Sequence, residues 1–566
     1  MCLLKKFDLK NISVVFIWYA LSAVCLTFIQ VPWRGHVLAW VALVPFVIVS
    51  LSDVATWRLV WVSYLVSACY WLGNLYWIGY VTVPAYVILG LYLGLYWPLM
   101  VFGLRFLRRK RVPLVLAVVM VVGGAEAWQG ILITGFSWRL LAHSQYANLP
   151  LIQICDIFGA MAVTIVIAAV NGLIAQIIID WRKGKMGAAL SSANVLGIVV
   201  VAVMVVGAVI YGNWRLGQGG EFIEEGPVIG SVQPNVSPAS KEMSEMGDVL
   251  LADLIDQSDM CMKAGAIFVA WPETMVLSSL NKSYMDICME GTRPKIFDGM
   301  IREHTKDNGY VLVGAHSAEL VVKDGDYEIA DRYNSAFLYR PDGMQDEKRY
   351  DKIHLVPFGE YIPFKNSAPF IYKFIMKFSP YDYDYNLTRG TEYTAFEVVD
   401  GADVWHFGVL ICYEDTDAEV TRKMVVDSDG RKKIDWIANI SNDGWYTRYS
   451  DEGSYPSGEL SQRLAITVFR AIENRISVLR SVNSGISCII DTTGAIRDGF
   501  MAGSLPEAAM EREAVSGWFV DRINTDGRIT FFSQHGKWVD TICAWEIIVV
   551  LVLAGIGGAQ KRKLKG

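Results

Sequence analysis

Cys412 ends an apolar run, residues 407–411, and is followed at once by Tyr413, Glu414 and Asp415. A buried strand that gives way to a thiol and then to polar residues presents that thiol at the edge of a sheet, where sites are built. A cysteine attacks as its thiolate, so it needs a base or a cation close by. Glu273, in AIFVAWPET, also follows a strand-like apolar run, and Pro272 forces a turn there. A carboxylate in such a turn can act as general base, its pKa raised by burial. Lys352, in YDKIHLVPFGEYIP, offers an ammonium that would lower a neighbouring thiol's pKa and meet a tetrahedral oxyanion. Each residue alone has a plainer reading: most free cysteines are small buried hydrophobes, and most lone Glu and Lys are solvated. What lifts them above it is their company, three strand-end groups in the order Glu, Lys, Cys that can serve as base, cation and nucleophile.

Hydropathy separates the elements that must position these groups. Of 566 residues, 53% are hydrophobic and 19% charged, and mean hydropathy is +0.32, a balance that predicts membrane segments. Residues 1–212 read as a membrane domain, 213–538 as a water-soluble domain, and 539–566 as a last apolar run with a basic tail. Seven spans are expected near 12–30, 36–51, 57–76, 83–104, 113–133, 151–180 and 191–212, and an eighth at 541–559. No small-x-small site follows the first span, which therefore reads as a retained anchor. Cys2 reads as an ordinary residue.

Basic clusters set the expected orientation. Lys5, Lys6 and Lys10 precede the first span, and Arg105, Arg108, Arg109, Lys110 and Arg111 follow the fourth. Arg182, Lys183 and Lys185 follow the sixth, and Lys561, Arg562, Lys563 and Lys565 the eighth, whereas the opposite loops carry little beyond Arg34 and Arg139. The positive-inside rule then predicts both termini in the cytoplasm and the polar domain outside.

That polar domain alternates strand-like stretches, such as AIFVAWPET, GYVLVGAHS, WHFGVLICYED and DWIANISND, with helix-like ones at 241–264, 283–305 and 458–474. The alternation predicts an α/β architecture with a layered sheet. A formal net charge of −6 argues against nucleic acid as a partner. The nine cysteines show no CxxC pair or zinc-type spacing, so no metal is expected, and no organic cofactor is implied.

The Glu, Lys, Cys order resembles the nitrilase superfamily. WPET, YDKIHLVPFGEYIP, GVLICYED, SNDGWY, FRAIENR and NSGISCIID narrow the resemblance to the bacterial apolipoprotein N-acyltransferase family, and GFSWRLLAHSQ resembles that family's membrane half. HLVPFGEY is the most specific of these, since plain nitrilases lack it. The resemblance covers nearly the whole chain. It implies a membrane α-helical bundle of eight spans carrying an α/β nitrilase-like α-β-β-α sandwich on the periplasmic side of the inner membrane. It also implies roles: Glu273 as general base, Lys352 as oxyanion-stabilising cation, Cys412 as acyl-carrying nucleophile, with Glu360, Tyr413 and Glu414 shaping the site. The implied reaction moves an acyl chain from a phospholipid, phosphatidylethanolamine by resemblance, through a Cys412 thioester to the N-terminal amine of a diacylglyceryl-cysteine apolipoprotein. Two rivals stay open, a membrane-tethered nitrilase-type amidase and a membrane scaffold or transporter with an inactive outer domain. Eight spans and HLVPFGEY weigh against the first, and the presence of all three chemical residues against the second.

Besides Cys488, which stands where a small residue is common, the chain departs from the family's pattern in two places. SPASKEM, after SVQPNV, holds no tryptophan, and Gln462-Arg463 stands where the family has Gln-His. Neither departure is expected to touch the three chemical residues. Cys488 reads as strand core and His354 as structural. Cys261 and Cys288, in an oxidising compartment, could form a disulfide. FIYKFIMKF, at 370–378, repeats Phe370, Ile371, Phe374, Ile375 and Phe378 at helical spacing. That pattern suits a lid over an acyl chain or an ordinary packed helix.

Overall fold

The computed structural model describes residues 11–183, 192–242, 246–362, 365, 368–376 and 386–563. Lys5, Lys6, Lys10, Cys2, Lys185, Lys377, Phe378 and Lys565 therefore lie outside the described residues. Two compact units emerge, Met1–Gly217 with Lys537–Gly566, and Gln218–Gly536.

The first unit is helical. Val83–Arg109, Met161–Arg182 and Asn194–Gly217, of 27, 22 and 24 residues, are long and apolar enough to cross a membrane. At about 1.5 Å per residue each reaches the roughly 30 Å of a hydrocarbon core. Ile12–Phe28, His36–Ser50, Leu114–Gln129 and Leu149–Phe158 are shorter apolar helices, and Thr56–Asn74 and Trp538–Lys563 are also helical. Small residues let these helices approach closely, as where Gly94 lies on the Ala68 backbone and Gly172 on Val115. The GFSWRLLAHSQ stretch is folded inward. Arg139 donates to the carbonyls of Leu26 and Thr27 at 3.1 and 3.2 Å, and the Leu141 amide donates to Glu126 Oε1 at 2.8 Å.

The second unit is built on two sheets. Its strands are β1 (Ile223–Gln233), β2 (Phe268–Ala270), β3 (Val276–Ser279), β4 (Tyr310–Lys323), β5 (Asp326–Tyr339), β6 (Gln345–Asp351), β7 (Ala395–Asp400) and β8 (Asp403–Ile411). There follow β9 (Trp436–Ser441), a hairpin of β10 (Thr447–Ser450) and β11 (Gly453–Pro456), β12 (Ser477–Val482), β13 (Cys488–Ile490), β14 (Ile496–Arg497) and β15 (Gly517–Asp526). One sheet runs β15-β1-β2-β4-β5-β6, with β3 on β4; the other runs β14-β13-β12-β9-β8-β7. The central strands β1, β2 and β4 are parallel, as are β8, β9 and β12. Such strands are buried on both faces, which is why they read as continuous apolar runs.

The sheets face each other through aromatic side chains. Phe268 of β2 meets Phe407 of β8 edge-on at 4.9 Å, and Phe407 stacks on Trp436 of β9 at 5.5 Å. Outside the first sheet, Met246–Lys263 and Arg293–Thr305 bury Leu250, Leu251, Leu254, Phe297 and Ile301. Against the second sheet lie Ala418–Val425, where Met424 sits on Gly408, and the almost wholly buried Gly458–Asn474. Helix, sheet, sheet, helix is the layering of this unit. The helix expected at 283–305 is two, Lys282–Ile287 and Arg293–Thr305, parted around Gly291, whose φ is +82°.

Candidate active site

β2 and β8 belong to different sheets, and their C-terminal ends carry Glu273 and Cys412. β9, parallel to β8, ends beside Asn442. Both chemical turns are tight. Thr274 has φ 51° and Cys412 φ 53°, left-handed values that cost a non-glycine residue about 1 kcal/mol or more. β4 passes directly beneath the Glu273 turn, where a Cβ on Gly314 would fall 2.4 Å from the Pro272 carbonyl oxygen and 2.8 Å from Glu273 Cα.

Three of the expected residues converge. Glu273 Oε1 accepts from Lys352 Nζ at 3.2 Å and from Asn334 Nδ2 at 2.6 Å, and Oε2 accepts from the Asn442 amide at 2.8 Å. The Cys412 thiol lies close enough to act electrostatically on the same carboxylate. Lys352, fully buried, also donates to Glu360 Oε1 at 2.7 Å, and Glu360 Oε2 accepts from the Val356 amide. Glu360 thus holds the loop after Lys352 as well as its ammonium.

Glu414 and Tyr413 flank the Cys412 turn. Glu414 accepts from Tyr350 Oη and from the amides of Ile353, His354 and Ile411 at 2.7–3.0 Å. The Tyr413 ring stacks on His354 at 5.2 Å, so the histidine packs against the site.

Residues 22–173 match a family model described as Apolipoprotein N-acyltransferase N-terminal domain, and residues 228–500 match one described as Carbon-nitrogen hydrolase. An apolipoprotein N-acyltransferase of Geobacter metallireducens is 29% identical over 468 residues, 82% of this chain and 78% of that one. The chain belongs to the apolipoprotein N-acyltransferase family. Apolipoprotein N-acyltransferase 1 of Treponema denticola is 24% identical over 542 residues, spanning 93% of this chain and 92% of its own. Among solved structures, an amidase from Nesterenkonia sp. is 14% identical with a TM-score of 0.36, covering 58% of this chain and 99% of that one. That likeness is too slight to carry an argument.

Against this family's pattern, the departure at Arg463 reaches the site, contrary to the expectation from sequence. Arg463 Nη1 donates to Cys412 Sγ at 3.6 Å. Its helix, Gly458–Asn474, is packed beside the Cys412 turn, and arginine is long enough to span the gap. SPASKEM also reaches inward, since Lys241 Nζ donates to the Thr274 carbonyl at 3.0 Å. Asn334 is a further contributor without a sequence signal. It lies mid-strand in β5, and its amide bridges Glu273 and Glu360 at 2.6 and 3.1 Å.

The charges follow from these contacts. Burial would raise the Glu273 carboxyl, but Lys352, the Asn334 and Asn442 donors and the Cys412 thiol outweigh it and hold it below the ordinary value. Burial opposes charge on Lys352 too, and Glu273, Glu360 and Cys412 overcome it and hold the ammonium well above its usual pKa. Burial pushes the Cys412 thiol up to about 12, with Arg463 and Lys352 pulling it down and Glu273 and Glu360 pushing it up. The resting site is therefore a thiol beside a carboxylate, and the proton must leave during attack.

The remaining cysteines are plain. Cys488 is buried in β13, and Cys261 and Cys288 are free thiols, not a disulfide. The 370–378 stretch begins as the helix Pro369–Met376. Among the described residues no cluster of three or more His, Cys, Asp or Glu side chains could hold a metal ion.

Proposed function

We propose that this chain transfers an acyl chain from a membrane phospholipid to the N-terminal amine of a diacylglyceryl-cysteine apolipoprotein, with Cys412 carrying the acyl group as a thioester. The observation that carries this reading is the Lys352–Glu273 ion pair beside the Cys412 thiol, in a chain that joins a segment like the apolipoprotein N-acyltransferase N-terminal domain to one like a carbon-nitrogen hydrolase.

Glu273 takes the thiol proton as sulfur attacks the ester carbonyl. Lys352 has three N–H bonds; Glu273 and Glu360 engage two, and the third meets the tetrahedral oxyanion. The C–O bond breaks and the proton passes from Glu273 to the departing lysophospholipid. The apolipoprotein amine then attacks the thioester, an amide forms, and sulfur leaves. A thioester divides one hard transfer into two easier ones.

Eight spans, with both termini cytoplasmic, 213–538 periplasmic and 539–566 forming the last span and its basic tail, suit two lipid substrates held in a bacterial inner membrane. Support for this topology is the charge bias of the sequence together with helices at the expected positions. Phosphatidylethanolamine is the proposed donor, and Glu360, Tyr413 and Glu414 are the proposed supporting residues.

The test is to incubate the purified chain with alkyne-tagged phosphatidylethanolamine and look for a hydroxylamine-sensitive acyl adduct that disappears in Cys412→Ser. No adduct on the unsubstituted chain overturns acyl transfer. An adduct released only to water favours a hydrolase.

A further inference from the structure

Cys412 Sγ sits between two sets of charges. In the first, the Lys352 ammonium is shared by two carboxylates, Glu273 and Glu360, at 3.2 and 2.7 Å. That set holds one cation against two acids. Lys352 pulls the thiol down while Glu273 and Glu360 push it up, so the set carries no surplus positive charge.

The second set centres on Arg463, only 1% exposed. Its Nε donates to both oxygens of Asp415 at 3.1 Å, and Nη1 donates to Asp443 Oδ1 at 3.0 Å and to Cys412 Sγ at 3.6 Å. Arg480 Nη1 donates to Asp415 Oδ2 at 2.9 Å, so Asp415 and Asp443 face two guanidinium groups, and Glu459, held protonated by burial, lies 3.8 Å from Arg463 Nη1. Arg463 Nη2 is buried with no hydrogen-bond partner. Negative charge appearing on the sulfur that Nη1 touches would turn that contact into a hydrogen bond between charged groups, the stronger kind. Planar guanidinium geometry also matters, because one rigid fork can hold two aspartates and still offer N–H bonds to sulfur.

We propose that Arg463 is a catalytic residue of this chain, the cation that stabilises negative charge on the Cys412 sulfur during both half-reactions. The proposal rests on Cys412 being the nucleophile. When Glu273 accepts the thiol proton, the sulfur lone pair that forms the C–S bond lies against the Arg463 guanidinium. When the amine displaces the thioester, the C–S bonding pair returns to sulfur beside the same group, and the proton lost by the amine returns to sulfur through Glu273. Asp415 and Asp443 position the guanidinium. The other titratable groups that act on the sulfur are Glu273, Lys352, Glu360 and Tyr446.

The experiment is the pH dependence of iodoacetamide alkylation at Cys412, read on its own peptide by mass spectrometry in the full chain in detergent. Arg463→Gln is expected to raise the alkylation midpoint by about one pH unit or more, roughly tenfold slower reaction below it, and Arg463→Lys to recover part of the shift. An unshifted midpoint in Arg463→Gln that melts where the parent does overturns the proposal, because a purely structural role predicts no shift. Should Arg463→Gln not fold, Arg463→Lys decides: its single ammonium cannot serve both aspartates and sulfur, so a raised midpoint supports the proposal and an unchanged one overturns it. Alkylation reads the sulfur directly. A parent chain that takes no acyl group therefore strikes the acyl-transfer reading and leaves the midpoint to decide this one.

Discussion

The Tyr350 hydroxyl donates to both carboxylate oxygens of Glu414, at 2.9 Å each, and so ties the end of β6 in one sheet to the turn after β8 in the other. The same carboxylate accepts from the Ile353 and Ile411 amides. One side chain thus holds the loop of Lys352 and the turn of Cys412 at a fixed separation.

Tyr350→Phe removes one donor from this seam and is expected to cost about 1–2 kcal/mol of stability. Glu414→Ala strands several buried donors at once and should cost about 3 kcal/mol or more, with a larger loss of thioester formation than of fold. Thermal melting alongside the tagged-phospholipid adduct checks both. Equal adduct yield in Glu414→Ala would contradict a seam that sets the Lys352–Cys412 spacing.

Asn334→Ala deletes the donor shared by Glu273 and Glu360. Losing a hydrogen bond to the charged form raises a carboxyl pKa, so Glu273 is protonated at higher pH than in the parent. The acid limb of the rate profile should move up by about one unit, so that turnover on that limb falls about tenfold while the neutral-pH plateau changes little through protonation. A profile with an unmoved acid limb would count against Glu273 as the base.

Gly314→Ala should act at a distance of one backbone. The added Cβ cannot coexist with the Pro272 carbonyl at 2.4 Å, so β4 and the Glu273 turn must part. Overpacking of this kind costs about 1–3 kcal/mol, and activity should drop further because the base moves with the turn. Alkylation of Cys412 without acyl-adduct formation is the expected signature.

Glu459 is fully buried, with neither carboxyl oxygen hydrogen-bonded. Burial, and then the charge of Asp443, hold its pKa well above the ordinary carboxyl value. Between the unfolded and folded pKa the native state binds the extra proton, so stability is fully present below about pH 4.5 and falls as pH rises above it. Glu459→Gln abolishes this titration. Its melting temperature should therefore exceed the parent's at pH 8 and approach it at pH 4.5; equal melting at pH 8 would contradict a neutral Glu459.

Much of the α/β unit was legible from residue order. β2, β4, β8 and β9 are parallel strands at the heart of the two sheets, and their apolar runs ending in turn formers announce them. β6 is not legible: QDEKRYD is mostly polar and half-exposed, and it is a strand because β5 pairs with it. β15, far along the chain, is a strand because β1 offers it an edge.

Residue type and hydropathy, which are local properties, are enough to single out Glu273, Lys352 and Cys412 at strand ends as candidates for base, cation and nucleophile, and to separate apolar helices from an α/β domain. Only the tertiary structure decides who else stands in the site. Asn334 lies 61 residues from Glu273, Asn442 169 residues from it, and Arg463 51 residues from Cys412. No spacing rule relates such positions, because their contacts are set by how two sheets and a buried helix pack. Arg463 looked like a departure without consequence until that packing brought its guanidinium to the sulfur.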